Sequence, residues 1–276
     1  MTRAFLPSAG LPRDGGLPRI VQYWAGLRID AGRVAACERA TGLGSVDGVS
    51  ILFPHVLGFR LQMAALTHPA FPLPIWNALQ VRNRLVRLRH IDLEDTCDLE
   101  TRVGGHRLSE KGVEIDLVSR LSHGSRSCWE SVVTYFYRGH FEGERSERIA
   151  ASAPDLSAAS IVDRFRMPKG GGWAFGRLTG DYNGIHNWNW YARRLGFPGA
   201  FSHPQRVAGM CLARLQGPRS EVQTLDLWLK GPVFYGADVI LSAIRDDRGL
   251  TFGLALEGDQ RTAIAGEWRA TAELGD

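Results

Sequence analysis

The stretch Pro204-Gln205-Arg206-Val207-Ala208-Gly209-Met210-Cys211-Leu212-Ala213-Arg214-Leu215 decides how this chain folds. Val207, Met210, Cys211, Leu212 and Leu215 fall on several sides of a 3.6-residue helix, and a helix apolar on most of its faces must be buried on most of them. The chain beyond this helix has the period of strands. Leu225, Leu227 and Leu229 alternate with Asp226, Trp228 and Lys230, and Val239–Ile244 leads into the turn Asp246-Asp247-Arg248-Gly249. Leu250–Leu256 and Thr262–Ala270 complete an antiparallel meander.

The same order occurs in the first half. His55–Leu66, with Val56, Phe59, Leu61, Met63 and Leu66, is a second nearly all-apolar helix. It precedes strand patterns at Leu79–Arg89, Asp98–Val103, Val113–Leu121 and Trp129–Tyr137. The turns between them are Ser109-Glu110-Lys111-Gly112 and Ser122-His123-Gly124-Ser125. Trp24-Ala25 aligns with Trp173-Ala174 at an offset of about 149 residues, and Phe53-Pro54-His55 with Ser202-His203-Pro204 at nearly the same offset. The expectation is an α+β protein made of two copies of one unit, each an antiparallel sheet wrapped around a buried helix. Gly139–Gly172, with its Glu/Arg run, its Ala-Ser-Pro-rich segment and Gly170-Gly171-Gly172, reads as linker. The domains expected are residues 1–150 and 160–276.

Composition removes several alternatives. A chain of 276 residues with 44% hydrophobic content buries a core, so global disorder and a collagen-like repeat are excluded. Cys37, Cys97, Cys128 and Cys211 are too few and too scattered for a disulfide framework, and no Cys/His spacing suggests zinc. Met1–Gly16 lacks the apolar core of a signal peptide, and no run of 18 apolar residues occurs; a cytoplasmic protein with no membrane partner is expected. Arg dominates the basic side, with Lys only at positions 111, 169 and 230. That pattern suits bidentate contacts to phosphate as well as an ordinary solvated surface. No nucleic-acid partner is expected, because there is no dense basic run and Arg84, Arg87 and Arg89 alternate with apolar residues.

The segment that carries chemistry is Trp173-Ala174-Phe175-Gly176-Arg177-Leu178-Thr179-Gly180-Asp181-Tyr182-Asn183-Gly184-Ile185-His186. Asp181 is placed to cap a following helix with the stripe Ile185, Trp188, Tyr191, Ala192 and Leu195, which Gly196 stops. Capping alone would account for an isolated Asp. Here His186 lies five residues on, so a carboxylate and an imidazole meet at one end of the helix and can hold a water between them, with the Asn183 amide to orient either. Ser202 and His203 are candidates both for capping the buried helix and for lining this site. His55, at the matching end of the first buried helix, lacks such partners, because Ala35 and Ala36 stand where a His would follow Asp30, and it reads as structural. Trp188, Trp190 and Tyr191 read as packing with one exposed ring, and Phe53, Phe59, Phe71 and Trp76 as core or acyl-tunnel lining. Ser202 has no Gly-x-Ser-x-Gly context for a serine hydrolase.

Gly180-Asp181-x-Asn183-x-x-His186, with Ala192 and Gly196-Phe197 beyond it, resembles the signature of the MaoC-like (R)-specific enoyl-CoA hydratases, the hydratase 2 group with the hot dog fold. The resemblance runs from about residue 160 to the end, and the degenerate first copy is similar to the two-repeat, double hot dog members. It implies a hydro-lyase that reversibly adds water to a trans-2-enoyl thioester to give an (R)-3-hydroxyacyl thioester, as in fatty acid metabolism. Asp181 and His186 would then be catalytic, with Gly180, Asn183, Ser202 and His203 in support. No metal or redox cofactor is implied, CoA or an acyl carrier being part of the substrate, and a homodimer is compatible. Gly184 replaces the usual Pro, and His203-Pro204 replaces the usual His-Gly, so the backbone donor to an enolate oxygen falls to Gln205 or Arg206. Alternatives are a hot dog acyl-CoA thioesterase and a catalytically silent thioester-binding partner subunit.

Overall fold

The computed structural model describes residues 10–11, 16–44, 48–218, 220–259 and 261–271, so most of Met1–Gly16 lies outside the described residues. Ten strands form one antiparallel sheet. The first five are β1 (Val21–Arg28), β2 (Leu79–Arg87), β3 (Thr96–Ser109), β4 (Gly112–His123) and β5 (Arg126–Arg138). The second five are β6 (Ser160–Arg166), β7 (Gln223–Leu229), β8 (Asp238–Asp246), β9 (Gly249–Leu256) and β10 (Thr262–Ala270). Their order, β1-β3-β4-β5-β2-β7-β10-β9-β8-β6, places five strands from each half of the chain on either side of the β2–β7 seam. Asp226 ties that seam by accepting from Arg82 (2.5 Å) and Arg84 (2.9 Å) on the opposite strand.

The two apolar stretches are helices under this sheet: α2 (Phe53–Leu66) and α5 (Pro204–Arg214). Each has a proline in its first turn, where no backbone N–H is needed. The helices α1 (Ala31–Thr41), α3 (Gly172–Thr179) and α4 (Asn189–Arg194) complete the element order. One buried cluster crosses the seam, joining Leu52, Leu57, Leu85 and Trp129 to Val207, Leu225 and Phe252. Trp129 is fully buried and its indole donates to Ile51 O at 2.9 Å, fixing β5 to the entrance of α2. Truncating a side chain of that kind costs about 3–5 kcal/mol. Phe53, Phe59 and Phe71 are buried, whereas Trp76 is half exposed. The four cysteines are free and buried. No helix among the described residues is long and apolar enough to cross a membrane.

Three expectations are corrected. Trp24 lies on β1 but Trp173 on α3, so that pairing of dipeptides was coincidental; the edge strands β1 and β6 are the matching elements, and β6 occupies part of the expected linker. β3 does not stop at Val103. It runs on to Ser109 through a register shift between Val103 and His106, where Gly104 lets β4 approach closely: a Cβ there would lie 3.0 Å from Val118 Cγ2. Finally, no long helix follows Asp181. A single 3₁₀ turn, Gly184–His186, precedes the short α4, and Trp188 and Leu195 of the expected buried stripe are exposed. Trp190 is exposed as well, so the cluster presents two rings to solvent instead of one.

Candidate active site

The end of α3 sets the position of Asp181. Gly180 ends the helix in the left-handed region (φ 81°), its N–H returning to Gly176 O at 2.7 Å. The Asp181 N–H then donates to Thr179 Oγ1 at 3.0 Å, and its Oδ1 accepts the Asn183 N–H at 3.0 Å. The backbone of Asn183, not its side-chain amide, therefore orients the carboxylate. The Asn183 side chain instead accepts from the Ile185 N–H and caps the 3₁₀ turn, the capping role expected of Asp181.

That turn ends on His186, which is buried with its Nδ1 2.9 Å from Phe201 O. A carbonyl only accepts, so Nδ1 carries the hydrogen and Nε2 is the basic atom. His186 Nε2 stands 3.5 Å from Asp181 Oδ2. The carboxylate and imidazole predicted from spacing do converge, at a separation that admits proton exchange through a shared water.

His203 completes the group. It begins α5 without a side-chain capping bond and stacks on His186, with ring centroids 3.9 Å apart. Its Nε2 donates to the backbone oxygen of Asp181 at 3.1 Å and lies 3.9 Å from the carboxylate, while the buried Phe175 ring packs against it. Two imidazoles and a carboxylate within 4.8 Å have the residue types of a metal centre. His203 Nε2, however, spends its hydrogen on a carbonyl and has no lone pair left for a cation there.

Burial alone would raise the Asp181 carboxyl, but the hydrogen bond and charge of His186, the charge of His203 and the Asn183 N–H together hold it below the usual value. Burial pushes His203 down to about 4, with the neighbouring His186 acting in the same direction. Burial likewise lowers His55 to about 4. Below an ordinary histidine value of about 6.5 the unfolded chain binds protons that these two folded-state imidazoles refuse. Stability is thus complete above that value and is lost as pH falls towards 4. We expect Tm to drop by several degrees between pH 6.5 and 4.5 in a thermal-denaturation series, the lowered Asp181 adding its own loss only at still lower pH. A flat profile over that interval would contradict the buried neutral histidines.

At the entrance of α5 the Arg206 N–H donates to His203 O at 3.0 Å and is therefore spent, whereas the Gln205 N–H finds no acceptor among the described residues. The Arg206 side chain is also fixed, donating to Ala40 O (3.1 Å) and Gly170 O (2.7 Å). Ser202 is buried, its N–H on Val233 O and its hydroxyl without a partner, so it does not cap the helix. A cavity of about 760 Å³ opens beside His186, lined among others by Lys169, Gly171, Trp173, Arg177, Arg193 and Tyr235. Tyr235 donates to His186 O at 3.0 Å, holding the 3₁₀ turn from the cavity side.

The site does not lie wholly in the second half. Arg60 of α2 donates to Leu178 O and, at 2.7 Å, to Arg177 O, taking up carbonyls that the end of α3 leaves unpaired immediately before Asp181. Sequence spacing had no means of finding Arg60, which is more than a hundred residues away. Its only signal is a charged residue within a largely apolar helix, which calls for a polar partner.

No family model matches the chain. It is 27% identical over 241 residues to 3-hydroxyacyl-thioester dehydratase X of Mycobacterium tuberculosis, which covers 87% of this chain and 85% of that protein. A crystal structure of that dehydratase superposes with a TM-score of 0.76 at 22% identity, over 91% of this chain and all of the other. A MaoC-like dehydratase from Phytophthora capsici gives 0.73 at 16% identity over 93% of this chain and 96% of the other. A second M. tuberculosis protein, described as having a double hot dog fold, gives 0.62 at 15% identity, over 94% and 98% of the two chains. With two buried helices under one ten-stranded sheet and the Asp-Asn-His segment between its strands, the chain has the double hot dog fold of these proteins.

Proposed function

We propose that the protein reversibly hydrates a trans-2-enoyl thioester to an (R)-3-hydroxyacyl thioester. The observation that carries this reading is the Asp181 Oδ2–His186 Nε2 pair, 3.5 Å apart, with His186 among the residues that line the cavity. Water held by both groups adds its oxygen to C3 and gives up a proton to the pair. The C2=C3 π electrons move to the thioester oxygen, and a proton from the pair then reaches C2. Gln205, whose N–H is free at the positive end of α5, supplies the hydrogen bond to the developing enolate in place of the missing amide at Pro204.

The cavity supports coenzyme A as the thioester handle. Lys169, Arg177 and Arg193 line it, and no carboxylate pairs with any of them among the described residues, which suits phosphates. Trp173 lines the same cavity and packs edge-on to Trp188 with centroids 5.4 Å apart, offering rings to a base. On this reading residues 160–276 carry the reaction and residues 1–150 are a supporting unit, and the buried free thiols suit a reducing cytoplasm. The test monitors a series of trans-2-enoyl-CoA thioesters by loss of conjugated enoyl absorbance together with thiol release. Absorbance loss without thiol is the expected result. Thiol release would instead indicate a thioesterase, and neither signal from folded protein would indicate a silent binding subunit.

A further inference from the structure

The two halves share a fold but differ in what they bury under the sheet. In the second half the row of facing residues across β7, β10 and β9 includes Leu225, Leu227, Trp268, Phe252 and Leu254, all in one apolar cluster. Across the seam the register sets Asn83 opposite Leu227, and the first half departs from that pattern at once. Asn83, Ser131, Tyr135 and Tyr137 are at most 3% exposed. Ladder pairing of Asn83 with Val133 and of Leu85 with Ser131 places them on one face of β2 and β5. α2 meets that face with His55 and Gln62, both fully buried and two helical turns apart.

Two contacts join helix and sheet: His55 Nε2 lies 3.3 Å from Asn83 Nδ2, and the Tyr135 hydroxyl donates to Gln62 Oε1 at 3.0 Å. They leave His55 Nδ1, Gln62 Nε2, Asn83 Oδ1, Ser131 Oγ and Tyr137 Oη buried without a protein partner. Each such atom costs free energy. The apolar face of the second half shows that the architecture does not require them. Through α2 they connect to the candidate site, because Arg60 of the same helix donates to the end of α3 just before Asp181.

We propose that this seam of the first half receives the acyl part of the substrate, and that the acyl group bears hydroxyl or keto oxygens beyond the enoyl unit. The proposal rests on the thioester-hydratase reading and adds a substrate class to it. An oxygenated chain satisfies donors and acceptors that a plain hydrocarbon would leave unpaired, the kind of difference that separates substrates strongly.

The experiment compares two trans-2-enoyl-CoA thioesters of equal length, one with a plain alkyl tail and one carrying a hydroxyl on the distal carbons, with the four-carbon enoyl-CoA as a measure of the reaction itself. We expect kcat/KM to favour the hydroxylated chain by at least about tenfold. Equal values, or preference for the plain chain, overturn the proposal while leaving hydration intact. If not even the four-carbon compound turns over, the hydratase reading fails. Calorimetric affinities of the two saturated acyl-CoA analogues then test the same ratio. The Ser131→Ala/Tyr137→Phe double variant removes two unpartnered hydroxyls, and we expect the preference to shrink several-fold with Tm unchanged or higher. A lower Tm with the preference intact would assign these hydroxyls to a structural water network and overturn the proposal.

Discussion

Asp181→Asn is expected to lower kcat for enoyl-thioester hydration by about three orders of magnitude, with KM within a few-fold of wild type. The amide keeps the shape of the carboxylate and an oxygen to accept the Asn183 N–H, so the loop between α3 and the 3₁₀ turn should hold. What it loses is the charge facing His186 and His203 and the ability to take a proton from water. Calorimetry with a saturated acyl-CoA should still report binding, because the cavity cations are untouched. Full activity in this variant would refute the site.

Gly172→Ala should have the second largest effect, through backbone contact and not chemistry. A Cβ at Gly172 would lie 2.1 Å from His186 O, 2.6 Å from Asn187 Oδ1 and 2.9 Å from the Tyr235 hydroxyl. Either α3 or the 3₁₀ turn must move. Overpacking of this kind costs about 1–3 kcal/mol or more, and misplacing a catalytic group by about an ångström costs about a hundredfold in rate. Thermal denaturation and the enoyl-absorbance assay should therefore both fall for Gly172→Ala. Gly231→Ala, with open space around it, should alter neither.

The paired helix-and-meander plan and the Asp-His partnership were legible in the sequence because both depend on local period and spacing. β10 is found at Thr262–Ala270 where the strand pattern placed it, and α2 and α5 declare themselves by being apolar on most of their faces. β1 and β6 were illegible for a physical reason: as edge strands they are largely exposed, so solvent tolerates almost any residue and no apolar alternation is imposed. The helix expected after Asp181 is broken in two: Asn183 caps only a 3₁₀ turn, and Trp188 stands in an extended conformation (φ −131°, ψ 120°) before α4 begins, so the apolar spacing never becomes one continuous stripe. Long-range contacts left least trace. His203 on the Asp181 backbone and Arg60 on the end of α3 are set by how helices meet, which composition does not record.

The seam where β2 pairs with β7 lies within a single chain. Contacts that two separate hot dog subunits would make by collision, such as that of Arg60 with α3, are here intramolecular, formed at an effective concentration that dilution cannot lower. A substitution in one half also appears once per sheet instead of twice. One half is thereby released to change what it holds under the sheet, while the other keeps Asp181, His186 and His203 together.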